Sequence, residues 1–137
     1  MVLVVDYRFG HGDLLVGRAG GVQRFSSDRR DGFSALSRAL ESDLDERLEG
    51  VAVVLPAEGE SGQAVGLTWS AIRGSVALGN ALAFAWGVPA VRISSADQDQ
   101  VLLERAVDAL AGVSIDSVVS ANYDGSPNIT RPKSAIG

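Results

Sequence analysis

The sequence contains no cysteine in its 137 residues and a single histidine, His11. A disulfide framework, a thiolate metal site and a cysteine nucleophile are therefore excluded, as is a histidine-rich metal cluster. Basic residues are scarce as well. Twelve Lys and Arg stand against seventeen Asp and Glu, for a net charge of −5, and no basic cluster exceeds the pair Arg29-Arg30. Binding to phosphate backbones needs concentrated positive charge, so direct nucleic-acid binding by this chain alone is not expected. The opening residues, MVLVVDYRF, lack the basic start, long apolar run and small-residue cleavage site of a signal peptide. Asn128-Ile129-Thr130 fits the glycosylation sequon, but without a secretion signal it reads as chance. The expected compartment is the cytoplasm.

What remains is an ordinary globular composition, 46% hydrophobic and 21% charged, at a length that suits one domain with its own core. Val2 to Val5 is a continuous apolar run, as in a strand buried on both faces. Gly10-His11-Gly12-Asp13 is turn chemistry, and Leu14 to Arg18 follows as a second strand. Ala19-Gly20-Gly21 signals a tight hairpin into a third strand, Val22 to Ser26. Phe33, Leu36, Leu40, Leu44 and Leu48 then recur at helical spacing, with Ser27, Asp28 or Asp31 as candidate caps. An earlier end at Glu41-Ser42-Asp43, with Leu44 to Glu49 as loop, fits equally. Val51 to Leu55 is the next buried strand and Pro56 to Gly66 a loop. A helix is predicted from about Ser70, capped by its hydroxyl, to Gly87, with Pro89 beyond. Val88 to Ile93 is a further strand. Ala96 to Ala111 is an amphipathic helix with Val101, Leu102, Ala106 and Leu110 inward and Asp97, Asp99, Glu104 and Asp108 toward water. Val113 to Val119 is a candidate short strand, and Asn122 to Gly137 reads as a tail that orders on contact.

This order predicts an α/β fold with a mixed five-stranded sheet, a three-strand antiparallel meander followed by βαβα, and helices on both faces. That pattern matches a single lobe of the ribonuclease-H-like, or actin-like ATPase, fold.

The stretch from Val65 to Trp86 carries one charge, Arg73, in twenty-two residues. A surface helix normally shows a polar face; this one shows almost none, so protein is expected to cover it on more than one side. A membrane span fits poorly, because a central Arg costs about 2.5–3.5 kcal/mol on insertion scales. Ser70, Gly74, Ala77, Ala81 and Ala85 form a ridge of small side chains suited to close helix approach. Ile72, Val76, Ala83 and Trp86 form a second face expected against the sheet. Both faces as internal core, or one shared with a partner, are the two readings.

Catalytic constellations are thin. Gly59-Glu60-Ser61-Gly62 falls short of a nucleophile elbow because residue 63 is Gln. His11 next to Asp13 is not expected to serve as a catalytic base. The carboxylates Asp43, Asp45 and Glu46, Glu58 and Glu60, and Asp97 and Asp99 are read as solvated faces. Asp6 ends the first strand, where actin-like ATPases hold metal and phosphate. Its successors Tyr7, Arg8 and Phe9 are too bulky to wrap a phosphate with backbone amides, and Arg8 is placed to neutralise Asp6. No catalytic residue, metal ligand or cofactor is assigned.

Trp69-Ser70-Ala71-Ile72-Arg73-Gly74-Ser75-Val76-Ala77, continuing to Ala85-Trp86-Gly87-Val88-Pro89, resembles the Ser-Phe-Thr-Gly-Leu-Arg-Ile-Gly-Leu-Ala to Leu-Gly-Ile-Pro block of the TsaB (YeaZ) family. Val91 to Ser95 is similar to the family's Val-Gly-Val-Ser-Ser. Asn122-Tyr123 and Pro127 to Lys133 resemble tails that some members carry. Two departures stand out. The family's Ile-Asp-Thr-Ser is here Val5-Asp6-Tyr7-Arg8, and its Gly-Pro-Gly-Ser-Phe-Thr-Gly turn is the longer Pro56–Thr68 loop. The resemblance implies a one-lobe member over residues 1–112, with 113–137 as short strand and tail in place of the second lobe. It implies a non-catalytic scaffold that pairs, through its first two helices, with a TsaD-type subunit in tRNA threonylcarbamoyladenosine synthesis, or with itself by the same surface. Carried onto matching positions, the contact candidates are Leu36, Leu40, Arg73, Ala77, Asn80, Ala81 and Phe84. A degenerate nucleotide-binding hydrolase using Asp6 and a stand-alone homodimeric interaction module are the alternatives.

Overall fold

The structure, a computed structural model, describes residues 1–27, 36–38 and 47–120. Strands β1 (Val2–Asp6), β2 (Gly12–Arg18), β3 (Gly21–Ser27), β4 (Gly50–Val54) and β5 (Ala90–Ile93) form one sheet in the order β3-β2-β1-β4-β5. The β1-β2 and β2-β3 pairs are antiparallel, whereas β1-β4 and β4-β5 are parallel. Helix α1 (Trp69–Trp86) connects β4 to β5, and α2 (Asp99–Leu110) follows β5. The expected α/β architecture, a mixed five-stranded sheet with an antiparallel meander, is present. Of the helix expected between β3 and β4, Leu36 to Arg38 are helical; Phe33, Leu40, Leu44 and the candidate caps Asp28 and Asp31 lie outside the described residues, as do Asn122 to Gly137.

The two continuous apolar runs are explained by the layers. Leu3, Val5, Val51 and Val53 meet Ala71, Ile72, Val76 and Ala83 of α1 on one face of the sheet. Val2, Val4, Ala52 and Val54 meet Leu102, Leu103 and Ala106 of α2 on the other. A strand covered on both faces has no side free for polar residues, so β1 and β4 are buried throughout.

Several local expectations are corrected. Helix α1 starts at Trp69 and its cap is Thr68, whose hydroxyl accepts from Ala71 N–H at 3.1 Å. Thr68 holds the extended backbone that a cap needs, while Ser70 is already helical. The helix ends as expected at Gly87, in left-handed conformation at φ 65°, where Val88 N–H returns to Ala83 O. This reversal leaves Trp86 44% exposed rather than against the sheet. The close contact falls instead at Gly79, where a Cβ would collide with Val53 Cγ2. At the β2-β3 hairpin the positive φ sits at Gly21 alone, and the turn is the two residues between Arg18 and Gly21. Val113 to Val119 forms no strand. Turns at 114–117 break the ladder, and Ser117 alone pairs with β5, through Ala90 N–H to Ser117 O at 2.9 Å and Ser117 Oγ to Ala90 O at 3.0 Å.

Candidate functional site

Two regions invite a functional reading: the carboxyl end of β1 and the outer face of α1. At the first, antiparallel pairing places Asp6 directly opposite Asp13, with exposures of 0% and 1%. Like charges facing each other across a ladder are destabilising, so the arrangement requires cations. Register supplies one. Asp13 pairs with Ser26, and Arg24, two residues along β3, projects on the same face. Its Nη2 donates to Asp6 Oδ2 at 3.0 Å, its Nη1 to Asp13 Oδ2 at 2.6 Å, and its Nη2 and Nε to the Asp99 carboxylate at 2.7 and 3.2 Å. Arg8 supplies the second cation. It grips Asp6 with Nε and Nη2, both at 2.9 Å, and donates Nη1 to Ala96 O at 2.9 Å. The Phe9 ring lies against both guanidinium groups, 4.8 Å from Arg8 and 5.3 Å from Arg24.

Burial pushes the Asp6 carboxyl upward, but the hydrogen bonds and charge of Arg8, helped by Arg24, outweigh it and hold the group below its usual 3.8. For Arg24, burial disfavours the cation, yet Asp99, Asp13 and Asp6 together raise its pKa further above the ordinary arginine value. Asp6 and Arg24 therefore stay ionised. Both Asp6 oxygens are taken by guanidinium donors, which is strong chemistry for fixing β1, β2, β3 and α2 together. Among the described residues no group of three His, Asp or Glu is arranged to hold a metal ion.

Two expectations change here. Asp99 does not simply face water; it docks the first turn of α2 onto Arg24. His11 is oriented after all, with Nδ1 2.6 Å from Asp13 Oδ1, the carboxylate accepting. Sequence spacing hid both partners, because Arg24 reaches Asp13 across a strand pair and Asp99 across 75 positions. Ser61 is exposed in its loop, where its Oγ accepts from Ala64 N–H. Glu58 is exposed and Glu60 caps a local turn through Ala57 N–H. Asp43, Asp45 and Glu46 fall outside the described residues.

The second region is apolar. Arg73, Ala77, Ala81 and Phe84 lie on the exposed side of α1, with Phe84 90% exposed. Ser70 and Ala85 are exposed beside them, while Gly74 is half-buried under the Tyr7 ring. Leu36 is half-buried against the α1-side core, and Leu40 lies outside the described residues. Asn80 is committed internally. Its Nδ2 donates to Val119 O at 2.9 Å and its Oδ1 accepts from Val119 N–H at 2.8 Å. This clamp holds residues 115–118 beside the end of α1, enclosing a groove of about 350 Å³ lined by Ala83, Phe84, Val88, Ile115 and Val118. Ile115 is 65% and Val118 72% exposed. Periodicity inside α1 could not reveal them, since they belong to an irregular segment brought there by Asn80. No protein-family model matches this chain, and no curated protein matches it significantly.

Proposed function

We propose that the chain is a non-catalytic scaffold of ribonuclease-H-like, actin-like lobe architecture that docks through the outer face of α1 onto a TsaD-type subunit and supports tRNA threonylcarbamoyladenosine formation. The observation that carries the reading is the exposed strip of Arg73, Ala77, Ala81 and Phe84. Its small residues let a facing helix approach closely, Phe84 supplies an aromatic anchor, and Arg73 supplies a charge at the rim. The sheet order, with parallel β1, β4 and β5 beside an antiparallel meander, is compatible with the lobe assignment. The carboxyl end of β1 favours the same side of the choice. A nucleotide–metal site at Asp6 would have to displace Arg8 and Arg24 from a carboxylate they already satisfy.

A stable interface of this kind buries about 1,200 Å² or more. Ala81→Arg places a long cation in the middle of the strip without touching the core. Co-purification with the TsaD-type subunit is expected to be lost while the isolated chain keeps its circular dichroism spectrum. Retention of the complex by Ala81→Arg overturns the docking face. Separately, calorimetry with ATP and Mg²⁺ that shows binding abolished by Asp6→Ala overturns the non-catalytic reading.

A further inference from the structure

The groove at the carboxyl end of α1 has a nearer candidate occupant than another subunit. Its floor and one wall are Ala83, Phe84 and Val88, and its other wall is Ile115 to Val118. Among the described residues that line it, Asp116 is the one that carries a charge. The described residues also end beside this wall: Asn80 grips Val119 by both backbone groups, one position before Ser120, the last of them. Seventeen residues follow, 121–137. They bring Tyr123, Ile129 and Ile136 as apolar side chains, Pro127 and Pro132 as stiffening residues, and Arg131 and Lys133 as cations opposite in sign to Asp116.

We propose that this groove is the docking site for the chain's own segment 121–137, held there in cis. Three physical arguments select this occupant over a second copy or a foreign peptide. A tethered segment meets its site at an effective concentration on the order of a millimolar, so even weak contacts are occupied. The span to cover is short, because Asn80 to Gly87 extends only about 10 Å along the helix. Prolines reduce the freedom lost when a segment is ordered, which favours docking of this sequence over a flexible one. Ile115, Val118 and the groove side of Phe84 thereby acquire an apolar partner, while Arg73, Ala77, Ala81 and the outer side of Phe84 stay free for the subunit interface. The groove and the subunit strip share Phe84, and the spin-label and co-purification experiments read them separately.

The absence of cysteine allows a clean test on the full-length protein. A nitroxide attached through Ser134→Cys is expected to broaden the amide signals of residues 80–88 and 115–118 and to spare those of β3, in dilute solution. Reduction of the nitroxide restores the signals. Mixing isotope-labelled chain with spin-labelled, isotope-silent chain is expected to give no broadening. In a second variant, Val118→Glu, the broadening is expected to disappear while the sheet resonances stay in place. No broadening at the groove in the single-labelled chain overturns the proposal. Broadening that appears only in the mixed sample does so too, and assigns the groove to a second copy. Loss of subunit binding in Ala81→Arg has no bearing on these signals, so failure of one reading is not failure of the other.

Discussion

The carboxyl end of β1 and the outer face of α1 lie on opposite sides of the same sheet and follow opposite rules. At the first, five charged side chains, Asp6, Asp13, Asp99, Arg8 and Arg24, are drawn into one network that consumes its own charge. At the second, Arg73 is the only charge of an eighteen-residue helix, and the exposed surface is alanine, phenylalanine and groove-lining aliphatics. Charge buried with its partners builds rigidity and leaves little for a ligand to gain. Apolar surface left in water is free energy still to be released by contact. On the proposed reading the polar end serves architecture and the greasy helix serves association.

Several experiments put that contrast to the test. The largest effect is expected from Arg24→Gln. It leaves buried Asp6 with one guanidinium and Asp13 with none, only the His11 ring, and breaking a buried pair by removing one partner costs about 3–5 kcal/mol. Urea denaturation measures it. A loss under ~1 kcal/mol would show the network to be dispensable and would reopen the carboxyl end of β1 to a ligand. The same network has an acid signature. Because Arg8 and Arg24 lower the Asp6 pKa in the folded state, its contribution is complete above the unfolded value near 3.8 and fades as pH falls through the lower folded value. Thermal melts below pH 4 should therefore fall less steeply for Asp6→Asn than for the native chain; parallel slopes would remove Asp6 from the account.

On the other side of the sheet, Gly79→Val drives a branched side chain into Val53 and is expected to destabilise by about 1–3 kcal/mol. Equal stability would mean that α1 does not lie on the sheet as closely as described. Smallest is the effect of Ala81→Arg on the isolated chain, within about 0.5 kcal/mol as for most surface changes. A large loss of Tm would place Ala81 in the core and remove the outer face.

Much of the fold was legible in residue order. The apolar runs at Val2–Val5 and Val51–Leu55 announced central strands because both faces of such strands are covered, and Gly87 with Pro89 marked the end of α1 because only glycine accepts the left-handed cap cheaply. The boundaries were less legible. Ser70 reads as the cap from its hydroxyl, but the extended backbone that a cap needs falls at Thr68, which residue type does not record. Trp86 shares the helical spacing of Ile72, Val76 and Ala83, yet periodicity does not say where the sheet stops beneath a helix. The candidate sites were legible only in part. The scarcity of charge marks only the helix as needing cover, and Arg73, Ala77, Ala81 and Phe84 come from the family resemblance, whereas Ile115 and Val118 lie beside them through a single asparagine clamp.

Residue order and composition alone establish that this chain has no cysteine chemistry, makes a mixed sheet from two apolar central strands, and carries a helix too poor in charge to be polar on any side. Those properties are local, set by composition and by the periods of strand and helix. Which carboxylates Arg24 meets, and which aliphatics border the groove, depend on the tertiary structure. The reason is that strand register, the docking of α2 and the α1-to-119 clamp bring together residues between 11 and 75 positions apart, and one-dimensional spacing holds no record of such meetings.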